Sequence, residues 1–343
     1  MFNLFKKKKI NLAIVGASGA VGQEMLSTVL ERKFPFSNLR LFASSRSKGK
    51  IIETPKGQLR IEELTDTSFD KNDIDVALFS AGGSTSLHFA PIAAKHGTIV
   101  IDNSSAFRME ESVPLVVPEV NPDDAFKHQN IIANPNCSTI QMVVALYPLH
   151  IYGKIKRIVV STYQAVSGAG LRAMAELREQ TEAVLKNQVV KPEKFPYQIA
   201  FNVIPQIDVF LDNAYTKEEM KMVDETKKIM GDNSIRVTAT TARVPVFRGH
   251  SESVNIETEK KITPSKAMDL LRKAKGVTLV DNIKAGKYPI PINSKGTDDT
   301  FVGRIREDES IENGLNLWIV SDNLRKGAAL NAVQIAELLM KKR

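Results

Sequence analysis

Short apolar runs alternate with amphipathic segments through the first third of the chain. Ile10-Asn11-Leu12-Ala13-Ile14-Val15 has the pattern of a buried strand. From Val21 to Leu30, the residues Val21, Met25, Val29 and Leu30 recur at helical spacing. Leu39 to Ala43, Asp75 to Ser80 and Thr98 to Asp102 predict three more strands, with a helix-compatible stretch from Ser86 to His96. Such alternation predicts an α/β domain with a doubly wound parallel sheet, covered by helices on both faces.

Beyond residue 137 the pattern changes. The runs Arg157 to Gln164, Ile235 to Thr241, Ser253 to Glu257, Thr300 to Arg306 and Leu315 to Val320 alternate apolar and polar residues. They predict a mixed or antiparallel sheet with one wetter face, hence an α+β domain. Leu171 to Lys186 is rich in helix formers. Thr216 and Glu219 form a capping box for a helix that closes at Gly231, and Thr263-Pro264 opens another that stops at Gly276. The last helix, Ala328 to Met340, offers Leu330, Val333, Ile335, Leu338 and Leu339 for docking. The expected division is a nucleotide-binding domain, 1–136 with the C-terminal helix 324–343, and a second domain, 137–323.

A chain of 343 residues can hold two such cores, and 43% hydrophobic with 25% charged residues is ordinary for a globular protein. The net charge of +8 raises the question of nucleic acid or a membrane surface. Much of the excess sits in Lys6 to Lys9 and Lys341-Lys342-Arg343, which read as solvated tails. No nucleic-acid module and no metal-ligand cluster is visible, and no stretch reaches the roughly 18 apolar residues of a membrane span. Ile10 to Val15 is too short for a signal core. With one cysteine, which excludes an internal disulfide, the expected compartment is the cytoplasm.

That cysteine, Cys137, lies in Asn134-Pro135-Asn136-Cys137-Ser138-Thr139, after the apolar run Ile131-Ile132-Ala133. A lone cysteine commonly packs as a small hydrophobe. Here its flanks are turn and cap residues, and a thiol at a helix N-terminus is favoured as the reactive thiolate.

Between the first strand and first helix lies Gly16-Ala17-Ser18-Gly19-Ala20-Val21-Gly22. An ordinary βα turn can carry glycines. In this strand–turn–helix context they also permit the close approach of a pyrophosphate to the helix N-terminus, as in Rossmann-type domains. Gly16, Ser18, Gly19, Ala20, Val21 and Gly22 are therefore cofactor candidates. At the end of the second strand stand Ser44, Arg46 and Ser47, with no carboxylate to hold ribose hydroxyls. Hydroxyls and a guanidinium suit the 2′-phosphate of NADP.

Five further segments stand out: Asn103-Ser104-Ser105-Ala106-Phe107-Arg108; Gln164-Ala165-Val166-Ser167-Gly168-Ala169-Gly170; Glu218 with Lys221; Arg243-Val244-Pro245-Val246 leading to Gly249-His250; and Asn323-Leu324-Arg325-Lys326-Gly327. On the residues alone, Glu218 and Lys221 could equally be a surface i,i+3 ion pair and His250 a solvated loop histidine. Taken in order with the glycine turn and the cysteine segment, these motifs closely resemble the aspartate-β-semialdehyde dehydrogenase family, from Ile10 to about Leu338.

The resemblance implies NADPH-dependent reduction of L-aspartyl-4-phosphate to L-aspartate 4-semialdehyde, within lysine, diaminopimelate, threonine and methionine biosynthesis. It implies Cys137 as the nucleophile and His250 as the acid/base, exchanging protons first with the thiol and later with a thiohemiacetal hydroxyl. It assigns phosphate to Arg108 and Lys221, the α-carboxylate to Arg243 and the amino group to Glu218. Gln164 and Asn136 would orient the acyl group, while Ser167, Gly168 and Asn323 would face the nicotinamide. A homodimer or homotetramer is expected, with the second domain as interface. The rival family, N-acetyl-γ-glutamyl-phosphate reductase, typically has Gly-Cys-Tyr where this chain has Asn136-Cys137-Ser138. A non-catalytic NADP sensor would not need Cys137, Gln164 and His250 together.

Overall fold

The computed structural model describes residues 9–55 and 57–341. The chain divides into two compact units: Met1–Asn136 with Ala328–Arg343, and Cys137–Gly327. Residues 6–8 and 342–343 of the basic tails lie outside the described residues.

The first unit is built around β1 (Ile10–Val15), whose apolar residues are all buried. With β2 (Phe36–Ala43), β3 (Ile51–Thr54), β4 (Gly57–Glu63), β5 (Val76–Phe79), β6 (Ile99–Asp102) and β7 (Ile131–Ala133), it forms a sheet in the order β3-β4-β2-β1-β5-β6-β7. All neighbours run parallel except the β3–β4 pair. Strand order reverses at β1, between β2 and β5, the switch point where doubly wound sheets bind nucleotides. Helix α1 (Ala20–Glu31) and the C-terminal helix Leu330–Met340 enclose one core through Met25, Val29, Val333, Ala336 and Leu339. Phe42, Phe69, Phe79 and Ala90, the last from α2 (Gly83–Lys95), fill the other. Asn331 pins the C-terminal helix by donating to the Val116 carbonyl at 2.9 Å and to Asn134 Oδ1 at 2.8 Å.

The second unit opens with α3 (Cys137–Gly153), which is buried on nearly every side. Its sheet comprises β8 (Ile155–Gln164), β9 (Arg236–Arg243), β10 (His250–Thr258), β11 (Val277–Leu279), β12 (Thr300–Asp308) and β13 (Gly314–Ser321), in the order β11-β12-β13-β10-β8-β9. It is mixed: β8 runs parallel to β9, and β10 is antiparallel to both β8 and β13. Helices α4 (Leu171–Leu185) and α5 (Lys217–Met230) follow their sequence signals, and α6 (Pro264–Arg272) starts at its signal but ends at Arg272, short of Gly276. In α5 the capping box is complete, and Gly231 takes the left-handed conformation at φ 65° that ends the helix. Strand β10 begins at His250, three residues before the alternating pattern starts, and β9 extends to Arg243. A π-type turn, Arg325–Ala329, precedes the C-terminal helix, so α-helix begins at Leu330 rather than Ala328. Among the described residues, no helix is long and apolar enough to cross a membrane.

Candidate active site

Strand ends bring the second unit's polar groups together. Gln164 ends β8 beside its register partner Arg243, which ends β9, and His250 starts β10. Cys137 starts α3, and Glu218 and Lys221 occupy the first turns of α5. These six residues, with Ser167, Gly168 and Asn323, share the second unit; Asn136, Arg108 and the phosphate-turn candidates belong to the first.

His250 is fully buried. Its Nδ1 accepts the Ala165 backbone N–H at 3.0 Å, so the neutral ring carries its hydrogen on Nε2, an atom with no partner among the described residues. Burial, aided by the Arg243 cation and opposed by Glu218, pushes its pKa down to about 3. The ring is therefore neutral at physiological pH. The unfolded chain takes up this proton below about pH 6.5, whereas the folded protein does so only near pH 3. The contribution to stability is thus full above pH 6.5 and is lost as pH falls toward 3. In urea melts between these limits, wild type should lose stability relative to His250→Gln; parallel curves would contradict the assignment.

Arg243 is buried, and its Nη1 donates to the Ala165 carbonyl at 2.7 Å. Burial lowers its pKa, while the negative charges of Glu218 and a Cys137 thiolate oppose that shift; the guanidinium stays charged at neutral pH. Glu218 is also buried, with one oxygen accepting from Gln164 Nε2 at 3.1 Å and the other from Lys221 Nζ at 3.1 Å. Lys221 further donates to Asp208 at 2.8 Å. Burial works against the Lys221 charge, but Glu218 and Asp208 outweigh it and raise its pKa. This arrangement is a linked network rather than the surface pair that sequence spacing also allowed. Asp208 carried no sequence signal, because it lies in irregular chain with a positive φ of 69°.

Two glycines shape the space around the reactive groups. A Cβ at Gly168 would lie 3.0 Å from Arg243 Nη1 and 3.3 Å from His250 Nε2. At Gly327 it would overlap Cys137, at 2.8 Å from Cβ and 3.2 Å from Cα. Gly327→Ala should therefore displace the thiol and lower kcat about tenfold or more, since misplacement near 1 Å costs up to ~10². Iodoacetamide alkylation of this lone cysteine should change in parallel; unchanged kcat and alkylation would contradict the assignment. Asn323 Oδ1 accepts from Gly249 N–H at 2.9 Å and shares hydrogen bonds of 3.0–3.1 Å with Ser167, which anchors the loop before His250.

In the first unit, Gly16 has φ 89°, and a Cβ there would strike the Ser80 carbonyl at 2.3 Å. At Gly22 a Cβ would meet the Gly16 carbonyl at 2.1 Å. Both glycines are thus required by the turn. Gly19 caps α1 without a side-chain hydrogen bond, and the helix has no acidic residue in its first turn. Backbone N–H groups and helix dipole therefore suit a pyrophosphate, beside Ser18, Ala20 and Val21. Ser44 and Arg46 are exposed after β2, whereas Ser47 is buried. Arg108 is buried and donates to the carbonyls of Asn134 at 2.9 Å and Asn103 at 3.0 Å.

A glycine-turn nucleotide unit, joined to a mixed-sheet unit bearing a helix-start thiol, defines a dehydrogenase of the semialdehyde type. The NAD binding domain of semialdehyde dehydrogenase matches residues 11–128, and its dimerisation domain matches residues 146–326. The chain belongs to the semialdehyde dehydrogenase family, and specifically to its aspartate-semialdehyde dehydrogenases. It is 56% identical over 333 residues to aspartate-semialdehyde dehydrogenase of Aquifex aeolicus (strain VF5), covering 96% of this chain and 98% of the relative. Identity to the Bacillus subtilis (strain 168) enzyme of that name is 52% over 340 residues, covering 97% and 98%. The structure of aspartate semialdehyde dehydrogenase II from Vibrio cholerae complexed with ASA matches with a TM-score of 0.94 at 50% identity, covering 97% and 98%. A Candida albicans aspartate semialdehyde dehydrogenase solved with NADP matches with a TM-score of 0.75 at 25% identity, covering 96% and 98%.

Proposed function

We propose that this chain reduces L-aspartyl-4-phosphate to L-aspartate 4-semialdehyde with NADPH and releases phosphate, in the biosynthesis of lysine, diaminopimelate, threonine and methionine. The observation that carries this reading is the lone thiol at the start of α3, accompanied in its unit by the Arg243 cation and the unpartnered His250 Nε2.

Cys137 Sγ attacks the acyl carbon, a C–S bond forms, and the C–O bond to phosphate breaks to leave a thioester. The helix N-terminus and Arg243 favour negative charge on sulfur. Bound NADPH supplies the hydride that brings the acyl group to the aldehyde level. Breaking C–S then returns the thiolate. His250 serves as acid/base. With Nδ1 engaged by Ala165 N–H, its resting form presents Nε2–H, so it is prepared to donate to oxygen as negative charge develops. Accepting a proton at Nε2 requires that hydrogen to leave first. Asn136 and Gln164 orient the acyl group, Arg243 holds the α-carboxylate, Glu218 the ammonium, and Arg108 and Lys221 the phosphate. A planar guanidinium bonds a carboxylate bidentately, which suits Arg243 to its role.

The first unit would hold the cofactor through Gly16, Ser18, Gly19, Ala20, Val21, Gly22, Ser44, Arg46 and Ser47. Ser167, Gly168 and Asn323 would serve its nicotinamide half. The second unit would carry catalysis and the contacts of a homodimer or homotetramer, in the cytoplasm. Arg46→Ala should weaken NADP binding about 10–100-fold, the scale of a charge-assisted hydrogen bond, with little effect on NAD. Equal losses for both cofactors, measured by fluorescence titration, would refute its contact with the 2′-phosphate.

The functional test is steady-state oxidation of aspartate semialdehyde and N-acetylglutamate semialdehyde, with NADP and with or without inorganic phosphate. Phosphate-dependent turnover of the aspartate compound is expected. Preference for the acetylated one would support the reductase reading instead.

A further inference from the structure

Glu252 is a fully buried carboxyl group next to the site, yet the proposed reaction does not use it. It follows His250 by two positions on β10, and so shares its face of the sheet. Among the described residues, neither oxygen has a hydrogen-bond partner at normal geometry. Its register partners are Thr162 on β8 and Ile319 on β13, neither of them charged. From α3 the polar group that reaches it is the Gln141 carboxamide. Gln141 follows Cys137 by four residues, one helical turn. Its Nε2 donates to the His250 carbonyl at 3.4 Å, which turns its Oε1, also without a partner, the other way.

An isolated carboxylate in such surroundings takes up a proton rather than remain charged. Desolvation raises the Glu252 pKa well above its ordinary value, and with Gln141 Nε2 turned to the His250 carbonyl the carboxamide offers an acceptor, which also favours the protonated form. A neutral carboxyl can then satisfy Gln141 Oε1 as a donor. We propose that Glu252 donates its O–H to Gln141, and that this pair fixes the His250 strand against the helix bearing Cys137. Glu252 is thus a positioning residue for the acid/base, an inference that rests on the assignment of Cys137 and His250. The charged groups acting on His250 itself are Arg243 and Glu218, which this pair does not include.

The test uses the full-length enzyme and the variants Glu252→Gln, Glu252→Leu and Gln141→Leu, each checked for folding by its melting temperature. Glu252→Leu and Gln141→Leu should lower kcat about 10–100-fold, in the range for misplaced catalytic groups, with KM within about threefold. Glu252→Gln, a neutral donor of similar shape, should restore kcat to within about threefold and leave the pH profile of kcat/KM in place. Infrared difference spectra of wild type against Glu252→Gln at pH 7 should show a protonated carboxyl C=O band. That readout stands even if the leucine variants do not fold. An ionised carboxylate band, a displaced pH profile in Glu252→Gln, or full activity in a folded Glu252→Leu would overturn the proposal. Full activity in Cys137→Ser would instead overturn the reading on which it rests.

Discussion

Cys137→Ala should reduce turnover by roughly 10⁴-fold or more while leaving NADP affinity unchanged, because the loss of a covalent nucleophile removes the route that divides one difficult step into two. No second cysteine can substitute, since Cys137 is the only one in the chain. The glycine turn and Arg46, proposed to hold the cofactor phosphates, belong to the first unit, whereas Cys137 belongs to the second. Loss of cofactor affinity together with turnover would indicate a structural role for the thiol. Retained turnover would remove the acyl-enzyme altogether.

His250→Ala is the second large effect, with kcat expected to fall about 10²–10⁴-fold, the range for general acid–base groups. The imidazole has two jobs in this geometry. Nε2–H has no partner among the described residues and lies beside Gly168, and Nδ1 satisfies the buried Ala165 N–H. Removing the ring leaves that N–H without its acceptor, which adds about 1–3 kcal/mol of destabilisation. The two contributions separate by measurement: kcat reports proton transfer, and urea melts at pH 7 report the lost acceptor. Full activity in a stable variant would assign proton transfer elsewhere.

How far the chain declares its structure depends on where burial follows pattern. The β1–glycine–α1 junction was legible because an apolar run, obligatory glycines and a helical period follow one another directly. The α5 boundaries were legible because Thr216, Glu219 and Gly231 each carry a specific backbone task. Helix α3 beyond its first residues was not. Its apolar residues are buried on nearly all sides, so no period distinguishes helix from strand. The edge pair β3 and β4 was not either, because its short, half-exposed strands, separated by Pro55, carry no run of buried apolar residues. The start of β10 was concealed by Glu252, a carboxyl in a buried position, where polarity suggested an exposed connection.

The candidate site shows the same division. Cys137 was recognisable from its flanks, and Gln164, Arg243 and His250 through the family resemblance of the ordered motifs; all four lie at element ends. Asp208, Gln141 and Glu252 were not recognisable, and Gly327 stood in a noted segment without a role of its own, because their significance arises only when distant segments meet. Lys221 needs Asp208 beside it, and Gly327 matters because Cys137 occupies the space a side chain would fill. For Glu218, spacing was compatible with an ordinary surface ion pair; burial and the Gln164 hydrogen bond are tertiary facts.

The most direct test of the acyl-enzyme is a rapid-mix experiment with enzyme, NADP and aspartate semialdehyde in the absence of phosphate. The account predicts a burst of NADPH of about one per active site, then near arrest as the Cys137 thioester accumulates, with turnover resuming when phosphate is added. Steady NADPH formation without phosphate, and with no burst, would contradict it.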